Sequence, residues 1–180
     1  MFEADRTLGV NRWLVVRLGA HSQTEVVLLA SKFFCLTTHY HRCTIPCPGE
    51  GCPLCELIAS RGLFYAPVFC TGAIRLIELG AQSASYLEQH AKLLHGGMRP
   101  GQVFRLTRRG AKHPVHSEII REQADAKEPS TLTIAQRVMA IYKYPPPNPG
   151  ETITDYSARC SRLARVRADR IAESILAKSK

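Results

Sequence analysis

Short apolar runs separated by turn residues dominate the first two thirds of the chain. The runs cover residues 13–18, 25–38, 63–70, 73–79, 102–108 and 115–121. Thr71-Gly72 separates two of them by the spacing typical of a β-hairpin, and a loop at 109–114 separates the last two. The last two runs also alternate apolar and polar residues with period two, which is typical of half-buried strands. The pattern therefore predicts six strands in this part of the chain.

Helical periodicity predicts three helices, one inside the β-rich part and two after it. The first begins at Ser83 or Ser85, runs to about residue 94 and is ended by Gly96-Gly97. The others cover Thr131–Tyr142 and Thr154–Lys178. A proline-rich segment at 145–150 precedes the last helix and is expected to act as a linker.

This order of elements predicts a mainly β fold with an OB-type Greek-key barrel, because one helix precedes the last two strands. We expect an N-terminal arm at residues 1–11 and an OB-fold domain at 12–122. A knuckle of turns at 39–55 is inserted into that domain. Residues 123–180 form a helical C-terminal extension that contains the linker at 145–150.

The segment from His39 to Cys55 concentrates metal-binding side chains. It holds four of the seven cysteines and two of the seven histidines, and Cys52 and Cys55 form a CxxC pair. Prolines and glycines between the cysteines exclude a regular helix or a central strand, so we expect a series of turns. Such a segment has little apolar surface to bury, whereas metal binding can supply its folding free energy. The spacing therefore predicts a structural Zn²⁺ site.

The predicted zinc ligands are His39, Cys47, Cys52 and Cys55. His39 is favoured as the fourth ligand because it lies where a predicted strand ends, and Cys43 and His41 are the alternatives. No segment at the start of the sequence resembles a signal peptide, so a disulfide is not expected, and the CxxC lacks the strand-to-helix context of a redox motif. No general base accompanies the ligands, which favours structural over catalytic zinc.

Charge adds a predicted partner. Lys and Arg exceed Asp and Glu by nine, and residues 99–121 contain six basic residues against the single acid Glu118. Such clustering favours an acidic partner, most commonly nucleic acid. The predicted nucleic-acid contacts are Trp13, Lys32, Tyr40, Phe104, Arg105, Arg108, Arg109 and Lys112. Aromatic members would stack on bases while basic members follow the phosphates.

The chain resembles the zinc-containing single-stranded DNA-binding proteins of tailed phages and mobile elements. The resemblance lies in His39, Cys47 and Cys52-Pro-Leu-Cys55, followed by strands, a helix and the segment from Gly101 to Gly110, and covers about residues 12–122. It implies an OB fold with an inserted zinc subdomain, and cooperative, sequence-tolerant binding of single strands in replication or recombination. Those proteins usually end in an acidic tail, whereas this chain ends in a basic helix.

The sequence of that last helix predicts a contact with protein. It carries Arg159, Arg162, Arg165, Arg167 and Arg170, with a rough apolar stripe of Leu163, Val166, Ile171 and Ile175. We expect the stripe to pack on a protein partner, on a second copy of the chain or on the barrel, since exposed apolar stripes are a liability. An alternative function is therefore a zinc-stabilised adaptor or subunit of a nucleoprotein complex.

Other classes of protein are not expected. No run approaches 18 apolar residues, so no membrane contact is predicted, and we expect a cytoplasmic protein of a prokaryotic or phage-infected cell. No paired carboxylates, glycine-rich phosphate loop or Ser/His/Asp pattern appears, and the His-x-Glu of a nucleobase deaminase is missing. The sequence therefore predicts a binding protein rather than an enzyme.

Overall fold

The structure, a computed structural model, describes residues 14–178 and is mainly β. The predicted N-terminal arm at 1–11 and Trp13 lie outside the described residues. The strands are β1 (Val15–Val16), β2 (Ser22–Leu28), β3 (Phe34–His41), β4 (Cys43–Pro46), β5 (Ser60–Cys70), β6 (Ala73–Gly80), β7 (Gln102–Arg108) and β8 (His116–Glu122). The helices are α1 (Ala81–His95), α2 (Thr131–Ile141) and α3 (Ile153–Ala177).

The eight strands form one mixed sheet. Its main path runs β1-β6-β5-β2-β7-β8, and β3 pairs with both β4 and β5 off this path. All pairs are antiparallel except the short parallel pair of β1 and β6. β1 and β8 lie at opposite ends of the path, so the described strands do not close into a barrel. The mainly β class with C-terminal helices is confirmed in this coarser form.

The predicted single strand at 25–38 is interrupted between β2 and β3. β2 pairs with the end of β5 through Leu28 and Val68, whereas β3 pairs with its beginning, from Phe34 to His39. At the interruption, the N–H of Leu29 donates to the carbonyl of Pro67 at 2.9 Å. Because a proline has no N–H to return, the ladder cannot continue in regular form. β2 and β3 therefore both pair with β5, and the chain bends between them.

The central strand β5 separates two apolar clusters. Ala66 and Val68 pack with α1 and with the β2 and β7 side chains in the main core. Tyr65, on the other face, packs against Ile134 and Val138 of α2. Alternate side chains of a strand point to opposite faces, so one strand supports both layers. This arrangement fixes the C-terminal helices on the face opposite α1.

α1 begins without a side-chain cap at Gly80. The predicted cap residue Ser83 lies inside the helix, is buried, and accepts the N–H of Val115 at 2.9 Å. The predicted stop is confirmed, since Gly96 adopts a left-handed φ of 73° and closes the helix. Ser83 thereby ties α1 to the loop between β7 and β8.

α3 packs on its own chain through small residues. Its buried side chains recur every four residues and are Tyr156, Cys160, Ala164, Ala168 and Ala172. Of the predicted apolar stripe, Leu163 and Val166 are instead 40% and 50% exposed, while Ile171 and Ile175 are partly buried. Small side chains spaced by four allow a helix to approach closely, because such positions share one face. The first half of the predicted stripe therefore does not pack on the described part of the chain.

The proline-rich segment before α3 is held against the helix rather than extended from it. Arg159 donates to Glu151 at 2.9 and 2.8 Å and to the carbonyl of Pro146 at 2.8 Å. The Tyr156 hydroxyl donates to the carbonyl of Pro145 at 3.1 Å. The hydrogen bonds from Arg159, followed by one from the Asn148 N–H, lower the pKa of Glu151 to about 2. Specific side-chain contacts therefore fix the position of α3.

Gly101→Ala should destabilise the fold strongly. Gly101 has a φ of 93°, and an added Cβ would overlap the carbonyl oxygen of Gln123. We expect a loss of at least about 2 kcal/mol, or roughly 4–8 °C in the midpoint of thermal unfolding. Gly19→Ala is the matched control, since nothing lies within 4 Å of its Cβ position. Equal midpoints for the two variants would contradict this account of the turn before β7.

Candidate metal centre and adjoining basic cleft

His39 lies at the inner end of the candidate metal centre. It belongs to β3 and is completely buried. Its Nδ1 is 3.1 Å from the carbonyl oxygen of Ile58, which can only accept a hydrogen bond. The proton therefore belongs on Nδ1, and Nε2 presents a lone pair to the cysteines. A backbone carbonyl on the second ring nitrogen is a common way of orienting a metal-binding histidine.

The three cysteines follow β4 on a series of tight turns. Cys47 is anchored by its N–H, which donates to the carbonyl of Thr37 at 2.8 Å. Gly49 and Gly51 adopt left-handed φ values of 96° and 67° between Cys47 and Cys52. Only the later part of the predicted knuckle is a series of turns, because its first residues form the β3–β4 hairpin. Pro46 is tolerated at the end of β4 because β4 is an edge strand that, among the described strands, pairs only with β3.

The four ligand atoms lie at the spacing of a tetrahedral metal site. The Sγ atoms of Cys47 and Cys55 are 3.8 Å apart, and His39 Nε2 is 3.6 Å from the Sγ atoms of Cys52 and Cys55. All four atoms lie within 4.8 Å of one another. A tetrahedron with metal–sulfur bonds of ~2.3 Å and a metal–nitrogen bond of ~2.05 Å has edges of ~3.8 Å and ~3.6 Å. His39, Cys47, Cys52 and Cys55 could therefore hold one metal ion.

The two alternative ligands lie outside this group. Cys43 is exposed and its Sγ is 3.7 Å from the Nη2 atom of Arg167. His41 pairs with Cys43 at the end of the β3–β4 hairpin. Neither belongs to the cluster of ligand atoms.

The pKa of one thiol at this centre, that of Cys55, is raised. Partial desolvation, followed by contacts with Cys47 and Cys52, raises the pKa of the Cys55 thiol to about 11. A bound cation acts in the opposite direction, because it stabilises the thiolate form directly. Metal binding at this centre would therefore release protons, and acid should weaken it.

α3 packs against the knuckle and β4. Ala168 and Ala172 pack with Ile45, Leu54 and Cys52 in one apolar cluster. Arg165 donates from the same helix to the carbonyls of Glu50 and Gly51. Sequence reasoning missed this contact, although a spacing of four between small residues from Cys160 onward is visible in α3.

Several predicted nucleic-acid contacts have structural roles instead. Phe104 is completely buried in the main core, so its predicted stacking on a base is wrong. Arg108 donates to the carbonyls of Leu18, Ala111 and His113 and thereby shapes the β7–β8 loop. Arg105 lies 3.3 Å from Glu25 and 3.5 Å from Glu118, which partly neutralise its charge.

Other predicted contacts are exposed. Tyr40 is 60% exposed, and the guanidinium of Arg61 lies 5.8 Å from its ring centroid. Arg109 and Lys112 are exposed on the β7–β8 loop, and Lys32 is exposed between β2 and β3. These side chains are available to a ligand.

A basic cleft of about 650 Å³ lies between the β6–α1 junction and the β7–β8 loop. Its charged and titratable lining residues are Arg17, Arg61, Glu78, Arg108, Lys112 and His113. Sequence reasoning missed Arg17 and Arg61. For Arg17 the available signal was a single charged residue within the apolar run at 13–18.

The single carboxylate of the basic cleft is already paired. Arg17 donates to both oxygens of Glu78, at 2.7 and 2.8 Å, and the Tyr65 hydroxyl donates at 2.8 Å. Burial alone would raise the pKa of Glu78, but the hydrogen bonds from Arg17 and Tyr65 outweigh it and hold the pKa below its usual value. The cleft therefore keeps an excess of positive charge.

No protein-family model matches the chain, and comparisons with curated proteins and with solved structures give no match either. Among residues 14–178, no helix combines the length and apolar character needed to cross a membrane. The metal centre and the basic cleft are therefore the features of the molecule that point to a function.

His39→Ala and Cys52→Ser should each remove the bound metal and destabilise the protein, because metal binding contributes to folding. A loss of about 3 kcal/mol would lower the unfolding midpoint by roughly 6–12 °C. Cys43→Ser should change neither metal content nor midpoint. Metal analysis and thermal unfolding of the three variants provide the measurement. Metal loss in Cys43→Ser with retention in His39→Ala would contradict this ligand set.

Proposed function

We propose that this chain is a sequence-tolerant single-stranded DNA-binding protein stabilised by zinc. The observation that carries the proposal is the basic cleft, with the exposed ring of Tyr40 beside Arg61 at its margin. Arg61 belongs both to the cleft lining and to the cation–π contact, so the ring and the cleft are neighbours. Positive charge beside an exposed aromatic ring is the combination that binds single strands.

Zinc suits the donor set at the metal centre. Three thiolates and one imidazole are soft or borderline ligands, which favour zinc over calcium or magnesium. With four protein ligands no coordination position is left for substrate, so the ion would be structural. His39, Cys47, Cys52 and Cys55 would hold it and thereby fix the knuckle against β3.

Strand connectivity supports an OB-type arrangement. β2 and β3 together pair with β5, β5 pairs with β6, and β2 also pairs with β7, which pairs with β8. α1 connects β6 to β7, as expected of a helix placed before the last two strands. An OB barrel would further need β6 and β8 to approach, and the basic cleft lies on that open side. The ligand groove of OB folds lies between loops at a comparable position.

The proposed binding would not depend on base sequence. Arg109 and Lys112 would contact phosphates, which carry no sequence information. The Tyr40 ring would stack on a base, and every base offers an aromatic face. His113 lines the basic cleft and could form a further hydrogen bond with the DNA. Phosphate and stacking contacts together account for tolerance of sequence.

A second candidate function is an adaptor or subunit of a nucleoprotein complex. Leu163 and Val166 favour it, since both are exposed on α3 while the opposite alanine face is buried. In this alternative a protein partner or second copy would cover the two exposed side chains.

Three further points remain predictions from the sequence and the family resemblance. They are a phage or mobile-element origin, a role in replication or recombination, and a cytoplasmic location.

Single-stranded DNA should bind with a salt-dependent affinity that decreases in Arg109→Ala/Lys112→Ala. Each phosphate contact contributes about −0.7 to the slope of log K against log salt, so the double variant should flatten the slope by about 1.4. Lys127→Ala is the control, because this exposed lysine lies neither in the cleft nor on the β7–β8 loop. Fluorescence anisotropy with single-stranded DNA, single-stranded RNA and duplex provides the measurement.

Tyr40→Ala and Tyr40→Phe separate stacking from charge in the same assay. Loss of the ring should cost about 1–3 kcal/mol of binding free energy, whereas phenylalanine keeps the aromatic face. Absence of single-strand binding at low salt in the wild-type protein would overturn the proposal in favour of the adaptor. If the protein binds single-stranded RNA more tightly than single-stranded DNA, RNA would replace DNA as the proposed ligand.

A further inference from the structure

A second basic cavity lies between the sheet and the C-terminal helices. Its volume is about 400 Å³, and its polar lining consists of Arg17, Cys43, Thr44, Glu78, Tyr142, Lys143 and Arg167. We call it the C-terminal cavity. It is built by residues from β4, β6 and α3, together with Arg17 after β1 and the end of α2.

Arg167 is placed in the C-terminal cavity by weak contacts. Its Nη1 lies 3.4 Å from the carbonyl of Tyr142, and its Nη2 lies 3.7 Å from the Sγ of Cys43. The first distance is longer than most N–H···O bonds, and the second acceptor is a sulfur atom. These neutral neighbours orient the guanidinium without neutralising it.

Lys143 adds a second uncompensated charge. It follows α2 directly, adopts a left-handed φ of 63° and is exposed. Within residues 14–178, no carboxylate lies within 4.0 Å of the charged nitrogen atoms of Lys143 or Arg167. The cavity therefore holds two cations that form no ion pair with a described carboxylate.

The carboxylate at the wall of the C-terminal cavity cannot supply that anion. Arg17 occupies both oxygens of Glu78, and Tyr65 donates to one of them. The Tyr65 hydroxyl is in turn 2.6 Å from the hydroxyl of Tyr142. The hydrogen-bond partners of the Glu78 carboxylate therefore all belong to the protein itself. Arg17, Lys143 and Arg167 against Glu78 leave an excess of two positive charges. An external anion is the complementary ligand.

Arg17 and Glu78 line both the C-terminal cavity and the basic cleft. We propose that the C-terminal cavity binds a phosphate group of the same DNA strand that occupies the basic cleft. This inference rests on the proposed function, and it gives α3 a direct part in DNA binding. The strand would pass from Lys112 across Arg17 to Lys143 and Arg167. A guanidinium and an ammonium beside each other suit a phosphate, with Arg167 contributing planar donors and Lys143 a point charge.

The test compares Lys143→Gln/Arg167→Gln with Arg170→Gln. Arg170 lies on the same helix, is exposed and does not line the cavity. Anisotropy with oligo(dT) across a salt series should show that the double variant flattens the slope by about 1.4, if each residue neutralises one phosphate. Arg170→Gln should leave the slope unchanged. Lys143→Gln alone should flatten the salt slope by about 0.7. Because Lys143 is exposed, this single variant tests the inference even if the double variant misfolds.

The outcomes distinguish this inference from the proposed function. If the wild-type protein binds oligo(dT) and the cavity variants retain its slope, the inference is wrong while the function stands. If the wild-type protein does not bind, the function itself fails. Inorganic phosphate is the second probe. Stabilisation of the wild type by free phosphate, lost in the double variant and accompanied by an unchanged DNA slope, would identify a site for free phosphate and overturn the proposed strand contact.

Discussion

Convergence of three thiols and one imidazole on a single point is the constraint on which the outer part of the structure depends. Between β4 and β5 only Cys52 and Leu54 are buried, and the turns need left-handed glycines at Gly49 and Gly51. The ligand cluster joins the far end of this segment, at Cys52 and Cys55, to His39 in β3. The knuckle is in turn the surface on which Ala168 and Ala172 of α3 pack. A metal ion at this point would therefore support both the knuckle and the helix.

The same arrangement places positive charge along one side of the sheet. α2 contacts β5 through the Tyr65–Tyr142 hydrogen bond, and the Tyr65 hydroxyl continues to Glu78 and Arg17 between the two basic cavities. This network lowers the cost of burying a carboxylate, because each oxygen receives donors. It also leaves the other cations of the two cavities free of that carboxylate. The C-terminal helices thus contribute to the electrostatics of the cleft as well as to the fold.

Local patterns in the sequence predicted the helices, the candidate ligands and the strands other than β4, which lies in the segment expected to form turns. Tertiary contacts were harder to predict. Period-two alternation shows that Phe104 shares a face with its neighbours but does not show which face meets the core. Arg108 resembled a free cation, yet its partners include the carbonyl of Leu18, distant in sequence. The buried face of α3 was missed because alanines contribute weakly to an apolar pattern, whereas Leu163 and Val166 dominate it.

Hydrogen exchange with and without bound metal tests the central claim, that the metal centre organises the knuckle and α3, most directly. Exchange reports local opening of each element separately. The account predicts that chelation increases exchange at residues 47–58 and in the second half of α3, from Ala164 onward, while α1 keeps its protection. Unchanged protection of α3 after complete metal removal, shown by metal analysis of the same sample, would contradict it.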